Sequence, residues 1–351
     1  MRPTTAASRV RSKGPNRSTV WAAGTALIAL ALAGCTAVPS VPVAATAAPS
    51  ASASVAPVPT ASATAVPPCT AAEKADLNSV VRSYPPATDI PAVVSSDPFL
   101  REVKRHGRLI VGVSSDTRLF GARNPETNQI EGFDIDLLKA VSQAVLGRVS
   151  ITYRVITAAE RIPLLQDGTV DIVARTMTIT CERWKQIAFS AEYYRAGQKV
   201  LLPRGSEAAK APAPIKALTP KSKVCAPKGS TSVERIKQEY ATLTPVEVAV
   251  HTDCLVLFQQ GKVDAITGDD AILAGFAAQD PYAVVPEQKG FSEEPYGLGI
   301  AKENRAFVSV VNAVLAQTIS TGQWQKSYIA NGLAAALNVP PKPPTPAYGR
   351  S

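Results

Sequence analysis

The sequence predicts an α/β protein of two lobes, the second inserted into the first and joined to it by two strands. Three observations predict this. Short apolar runs alternate with amphipathic stretches from residue 108 onward, a second cycle of the same kind begins near Ser222, and segments of strand character at 198–202 and 296–301 flank that second cycle. Such alternation implies a mainly parallel sheet with helices on both faces.

The chain does not begin with that pattern. Arg2, Arg9, Arg11, Lys13 and Arg17 crowd the start with no acid among them, and an apolar run over 20–33 leads into Leu32-Ala33-Gly34-Cys35. A basic region, an apolar region and small residues at a cleavage point make 1–34 an export signal. A cysteine directly after the small residues is the bacterial lipoprotein box, so Cys35 is the expected acylation site and new N-terminus. One acyl anchor and no second apolar span means attachment to the outer face of the membrane rather than a crossing. Residues 36–68 are almost entirely Ala, Pro, Ser, Thr and Val, uncharged, which makes 35–68 a flexible tether. Without the five N-terminal cations the formal +9 drops to 32 basic against 28 acidic residues, and no basic–aromatic stripe is present, which argues against nucleic acid.

Residues 69–98 form an extension: helical over 71–82, then broken by prolines to about 98, with no function readable in it. Strand 108–113 follows, then helix 133–146 with Asp134 and Asp136 in its first turn, where they complement the helix dipole. Strand 149–156, a helix from Arg161 closed by Gly168, and strand 170–174 complete the first cycle. In the second, strand 223–226 turns into a helix with Thr231 and Glu234 at capping-box spacing. Strand 246–250, helix 254–260 and strand 263–267 follow. Helix 306–321 returns to the first lobe. Lobe one is thus 99–197 with 296–340, the hinge and lobe two are 198–295, and 341–351 is a tail. Strand carboxyl ends of both lobes face one cleft, where α/β proteins place ligands.

Four motifs occur in order: Gly-Phe-Asp-Ile-Asp-Leu at 132–137; the segment 161–171 with its Arg-Ile-Pro start; Thr-Met-Thr-Ile-Thr-Cys-Glu-Arg at 176–183, followed by Phe189-Ser190 and Tyr193-Tyr194; and Gly-Lys-Val-Asp-Ala-Ile-Thr-Gly-Asp-Asp at 261–270. On these the chain resembles the polar-amino-acid (family 3) solute-binding proteins of ABC importers, and especially the glutamine- and glutamate-binding lipoproteins of high-GC Gram-positive bacteria, over roughly 101–338. The resemblance implies the type II periplasmic-binding-protein fold, a free amino acid as ligand, an ABC permease as partner, no cofactor or metal, and a monomer.

An amino acid enclosed in a cleft loses water from a carboxylate and an ammonium, and each needs a charged or hydrogen-bonding partner. Arg183 has the planar fork for a carboxylate, and the resemblance makes it, with Thr178, the α-carboxylate site; Thr176 and Met177 belong to the same turn. A surface arginine paired with Glu182 is the structural alternative. Asp269 is implied as the ammonium partner, with Asp270 the better cap for the helix that follows. Ser230 and Thr231, at a helix start, receive the other end of the ligand or simply cap the helix. Relatives' aromatic shelf is replaced here by Thr157-Ala158-Ala159, so Phe120 or Leu119 is the expected apolar cover. Arg118, Arg175 and Lys228 add positive charge, which favours an acidic ligand and repels a basic one.

Exported cysteines pair. With Cys35 acylated, four remain, allowing three connectivities. Cys225 and Cys254 share lobe two, so they are the preferred pair, leaving Cys69 with Cys181. Two other functions compete with transport: a sensor presenting its ligand state to a membrane signalling protein, and an enzyme on the same fold, a dehydratase or lytic transglycosylase. Acid–base chemistry calls for a placed histidine or carboxylate pair. The only histidines are His106 and His251, both read as surface or packing residues, so no enzyme is expected.

Overall fold

The strand Leu109–Val113 is buried almost throughout because it lies inside a sheet rather than at its edge. In the computed structural model, which describes residues 69–350, it pairs in parallel with Ile151–Val155 and Ile172–Ala174, Val111 standing opposite Ile172. Gly299–Ile300 and Ala188–Phe189 extend this sheet antiparallel. The expected signal, Cys35 and the tether lie outside the described residues. Among the described residues, no helix is long and apolar enough to cross a membrane.

The second sheet runs Thr244–Val248, Lys223–Pro227, Ala265–Asp269, Tyr194–Pro203, Ala283–Val284. Its faces are built by neighbouring residues, since successive strand side chains point to opposite sides. Leu201, Cys225 and Ile266 pack on one face, while Val200, Val224 and Ala265 pack on the other. Tyr194–Pro203 is long enough to start at lobe one and end inside this sheet. Glu293–Tyr296 returns alongside it, Tyr296 opposite Tyr194 and Glu293 opposite Gly197. These two antiparallel strands are the hinge of a two-lobed type II fold.

Several local expectations change. Pro91 and Pro98 start helices rather than breaking them. Each sits in the first turn of Ile90–Ser96 or Pro98–His106, capped by the Asp89 and Asp97 carboxylates, which accept from Ala92 N and Leu100 N at 2.9 Å. Proline lacks only a donor that the first turn does not use. Val80, Tyr84 and Val94 join the lobe-one core, so the extension is part of that lobe. The lobe-two helix begins at His251, not 254. Ser230, not Thr231, caps Thr231–Glu239, accepting from Val233 N at 3.2 Å. After Arg305–Ser320, two further helices, Gln323–Ala330 and Leu333–Leu337, were not foreseen. The tail returns to the extension: Ser83 N donates to Ala347 O at 2.9 Å, and the Arg350 guanidinium stacks 3.9 Å over Trp184. Disulfides join Cys225 to Cys254 and Cys69 to Cys181, as preferred.

Candidate ligand-binding cleft

Thr176–Arg183 leaves the lobe-one sheet at the mouth of the cleft, with Thr180 capping the short helix Cys181–Trp184. Thr176 has φ +42°, a conformation β-branched residues avoid, and is held there by its N–H donating to Asp134 Oδ2 at 3.0 Å. Asp134 also accepts from Tyr193 OH at 2.6 Å. The carboxylate read as a helix-dipole partner is thus a buried brace of the binding turn. Burial raises its pKa to about 6, against the lowering effect of Tyr193 and Thr176.

Arg183 is buried, and Glu182 pairs with Lys74 rather than with it. Its guanidinium donates through Nη1 to Thr178 O at 2.6 Å and through Nη2 to Gly229 O at 3.2 Å. Gly229 O, in lobe two, also accepts from Arg161 Nη2 at 3.1 Å. The lobes meet closely here: a Cβ on Gly229 would stand 2.8 Å from Ala159 Cα, and its φ of +77° suits glycine. A second link joins lobe-one Asp116 to Thr252, whose N and Oγ1 donate to Oδ2 at 3.2 and 2.9 Å.

Asp269 ends its strand in lobe two. Though it holds the N-cap position, its side chain makes no cap bond, while Asp270 Oδ1 accepts from Ala271 N at 2.8 Å. Its Oδ2 instead accepts from Tyr296 OH on the hinge. Its Oδ1 is buried with no partner, and burial, reinforced by the nearby Glu294 charge, pushes its pKa well above the ordinary carboxylate value. Of the four other buried side-chain atoms without a partner among the described residues, two lie at the lobe junction with it, Arg175 Nη2 and His251 Nε2, and two lie elsewhere, Gln325 Oε1 and Tyr348 OH. The Arg175 Nε donates to Ile156 O at 2.7 Å. His251 is no surface residue. It stands against Gly268 and Phe276, and burial, then the Arg175 charge, lowers its pKa to about 3, so it is neutral.

The structure therefore brings Thr176, Thr178, Arg175, Arg183, Ser230, Thr231 and Asp269 to the lobe junction, and it separates the other candidates. Arg118 and Lys228 are exposed, Arg118 with its stem against Gly275 of the lobe-two helix Asp270–Ala277 and Lys228 just ahead of the Gly229 turn. Met177 faces the lobe-one core behind the turn, as alternation from Thr176 and Thr178 requires. Phe120 is an aromatic buttress, 5.6 Å from the Tyr296 ring, rather than a cover for ligand. Sequence reasoning missed Arg161, His251 and Glu294. Arg161 opens a quoted motif without having been given a role. Glu294 stands beside an equally acidic neighbour, and nothing local says which of the two points inward.

The sequence profile of the bacterial extracellular solute-binding proteins, family 3, matches residues 109–330. The chain belongs to that family. Among similar family 3 proteins, a glutamine-binding protein of an ABC transporter from Bacillus subtilis is 36% identical over 235 residues, 67% of this chain and 84% of the relative. A glutamate-binding protein of Corynebacterium glutamicum is 28% identical over 67% of this chain and 81% of its own length. The crystal structure of an ancestral amino-acid-binding protein, a precursor of cyclohexadienyl dehydratase, is 30% identical with a TM-score of 0.60, covering 66% of this chain and 98% of that one. The family's members are extracellular solute-binding receptors, and the two relatives named above are binding proteins. This solute-binding protein has both lobes of such a receptor and the cleft between them.

Proposed function

We propose that this solute-binding protein captures an amino acid with a polar, carbonyl-bearing side chain, glutamate or aspartate ahead of their amides, and delivers it to an ABC permease. A lipid on Cys35 holds it at the outer membrane face. The observation that carries the reading is the set of unpartnered buried atoms. Asp269 Oδ1 is an acceptor suited to an ammonium, while Arg175 Nη2 is a charged donor suited to an oxygen at the far end of the ligand. Buried polar atoms are rarely left without partners, so such a set marks where a ligand's polar groups belong. Arg183, with two of its donors already orienting it, supplies the fork for the α-carboxylate. The glutamine and glutamate named for its relatives support the same ligand class.

A calorimetric panel of the natural amino acids tests this. Glutamate, aspartate, glutamine or asparagine should bind and arginine and lysine should not. Arg175→Ala should weaken the acids more than the amides. Equal losses for glutamate and glutamine would remove the preference for acids, and silence toward every amino acid would sink the reading as a whole.

A further inference from the structure

Glu294 is a carboxylate for which the binding reading has no use. It lies on the hinge strand Glu293–Tyr296, opposite Ala196, and is 1% exposed. Its neighbour Glu293 points outward and meets Arg195 at 3.0 Å. Strand alternation thus sends one of two adjacent glutamates into the lobe junction. There Glu294 Oε2 accepts from Thr178 Oγ1 of lobe one and from Thr231 Oγ1 of lobe two, each at 2.8 Å. Oε1 accepts from Ser292 Oγ at 2.5 Å. The cation it pairs with, Arg235, stands back at 3.9 Å and is partly exposed. The Glu294 charge also acts on the buried Arg183 guanidinium, more strongly than the Asp269 or Glu182 charge does, and a buried carboxylate is expensive to keep for packing alone.

Proton counting shows what it does to those hydroxyls. A threonine hydroxyl has one hydrogen. Once that hydrogen is donated to Glu294, the oxygen can offer only lone pairs elsewhere. The Thr178 and Thr231 oxygens, 3.4 Å apart across the lobe boundary, are then both acceptors, so the Thr178 hydroxyl has no hydrogen left for the α-carboxylate as the resemblance implied, and Arg183 keeps that role. Thr178 is bridged through its backbone to Tyr296, whose hydroxyl holds Asp269. We infer that Glu294 is a positioning residue that turns the Thr178 and Thr231 hydroxyls into acceptors and so completes, with Asp269, a pocket for the ligand's ammonium. Its charge also acts on that pocket directly, since Glu294 is the charge that acts most on Asp269 and Arg183 lies near both carboxylates, so an ammonium there adds to the positive charge already between them. The inference rests on the reading of Asp269 as the ammonium partner of an amino acid.

The test compares L-glutamate with (S)-2-hydroxyglutarate, which keeps both carboxylates and replaces the ammonium by a neutral hydroxyl, on wild type and Glu294→Gln. Glu294→Gln preserves shape but removes the charge, and its amide can donate back to a threonine. It should lose roughly tenfold or more in L-glutamate affinity, about what one charged contact commands. The hydroxy acid should lose little. Equal losses for both ligands would make Glu294 a support of the closed shape, and no loss for either would remove its role; each overturns the inference. Wild type binding no amino acid would overturn the underlying reading instead. If Glu294→Gln does not fold by circular dichroism, Thr231→Val removes one of the two acceptors without changing shape. It should show the same ammonium-selective loss, and a uniform loss or none would again refute the inference.

Discussion

Asp269→Asn should destroy binding and, in the same molecule, raise the stability of the empty receptor. The side chain is 5% exposed, with Oδ2 held by Tyr296 OH and Oδ1 unpartnered. Its raised pKa has a definite sign. A carboxyl that binds its proton more tightly in the native state than in the unfolded chain costs stability at every pH above its ordinary range. Asparagine keeps an acceptor for Tyr296 and leaves its Nδ2 where Oδ1 was unpartnered, so the gain comes from the removed charge, about 1.4 kcal/mol for each pH unit by which the carboxyl's pKa is raised. For a protein of this size that is a rise of about 2–4 °C in Tm per kcal/mol. Binding changes the other way. A ligand ammonium buried without its partner costs roughly 3–5 kcal/mol, or two to three and a half decades in Kd. Scanning calorimetry with and without glutamate reads both effects. Wild type should gain about 4 kcal/mol at a thousandfold excess over Kd, whereas the variant should start higher and gain almost nothing. A variant with lower ligand-free Tm and wild-type affinity would refute both the burial argument and the ammonium assignment.

Three other outcomes follow from the same structure. His251 falls from its ordinary pKa of 6.5 to about 3 through burial, so its contribution to stability is complete above pH 6.5 and is lost as pH falls below that, at up to about 1.4 kcal/mol per pH unit. His251→Phe should flatten that acid limb in urea unfolding between pH 7 and 4.5, and an unchanged slope would mean that the ring is solvated. Converting Cys69 and Cys181 to serine opens a link spanning 112 residues, a loss of about 4–5 kcal/mol on chain entropy; it also unties the helix bearing Arg183, so melting temperature and glutamate affinity should fall together. Cys35→Ala should release the protein from the membrane fraction with ligand affinity intact, and retention of the variant on membranes would rule out the lipid anchor.

What the sequence determined by itself is whatever depends on neighbours along the chain. The helices Phe133–Leu146 and Arg161–Gln166 follow from local periodicity, and the first hinge strand from the strand character at 198–202. The second is Glu293–Tyr296, just ahead of the expected 296–301, whose Gly299–Ile300 joins the lobe-one sheet instead. Arg183 and Asp269 were legible through motifs that carry a whole turn with them. The tertiary structure alone decided side-chain direction and partners distant in sequence. Glu293 and Glu294 look alike in the chain, but the register with Tyr194–Pro203 sends only the second inward, to hydroxyls 116 and 63 residues away. Arg118 and Arg175 are equally basic, yet one points to water and the other ends buried with a free donor. His251 becomes a cleft residue because its helix starts a turn early and closes onto Gly268. Periodicity records which residues can share a face; whether that face meets solvent, a core or the opposite lobe is set only when the two sheets are brought together across the hinge.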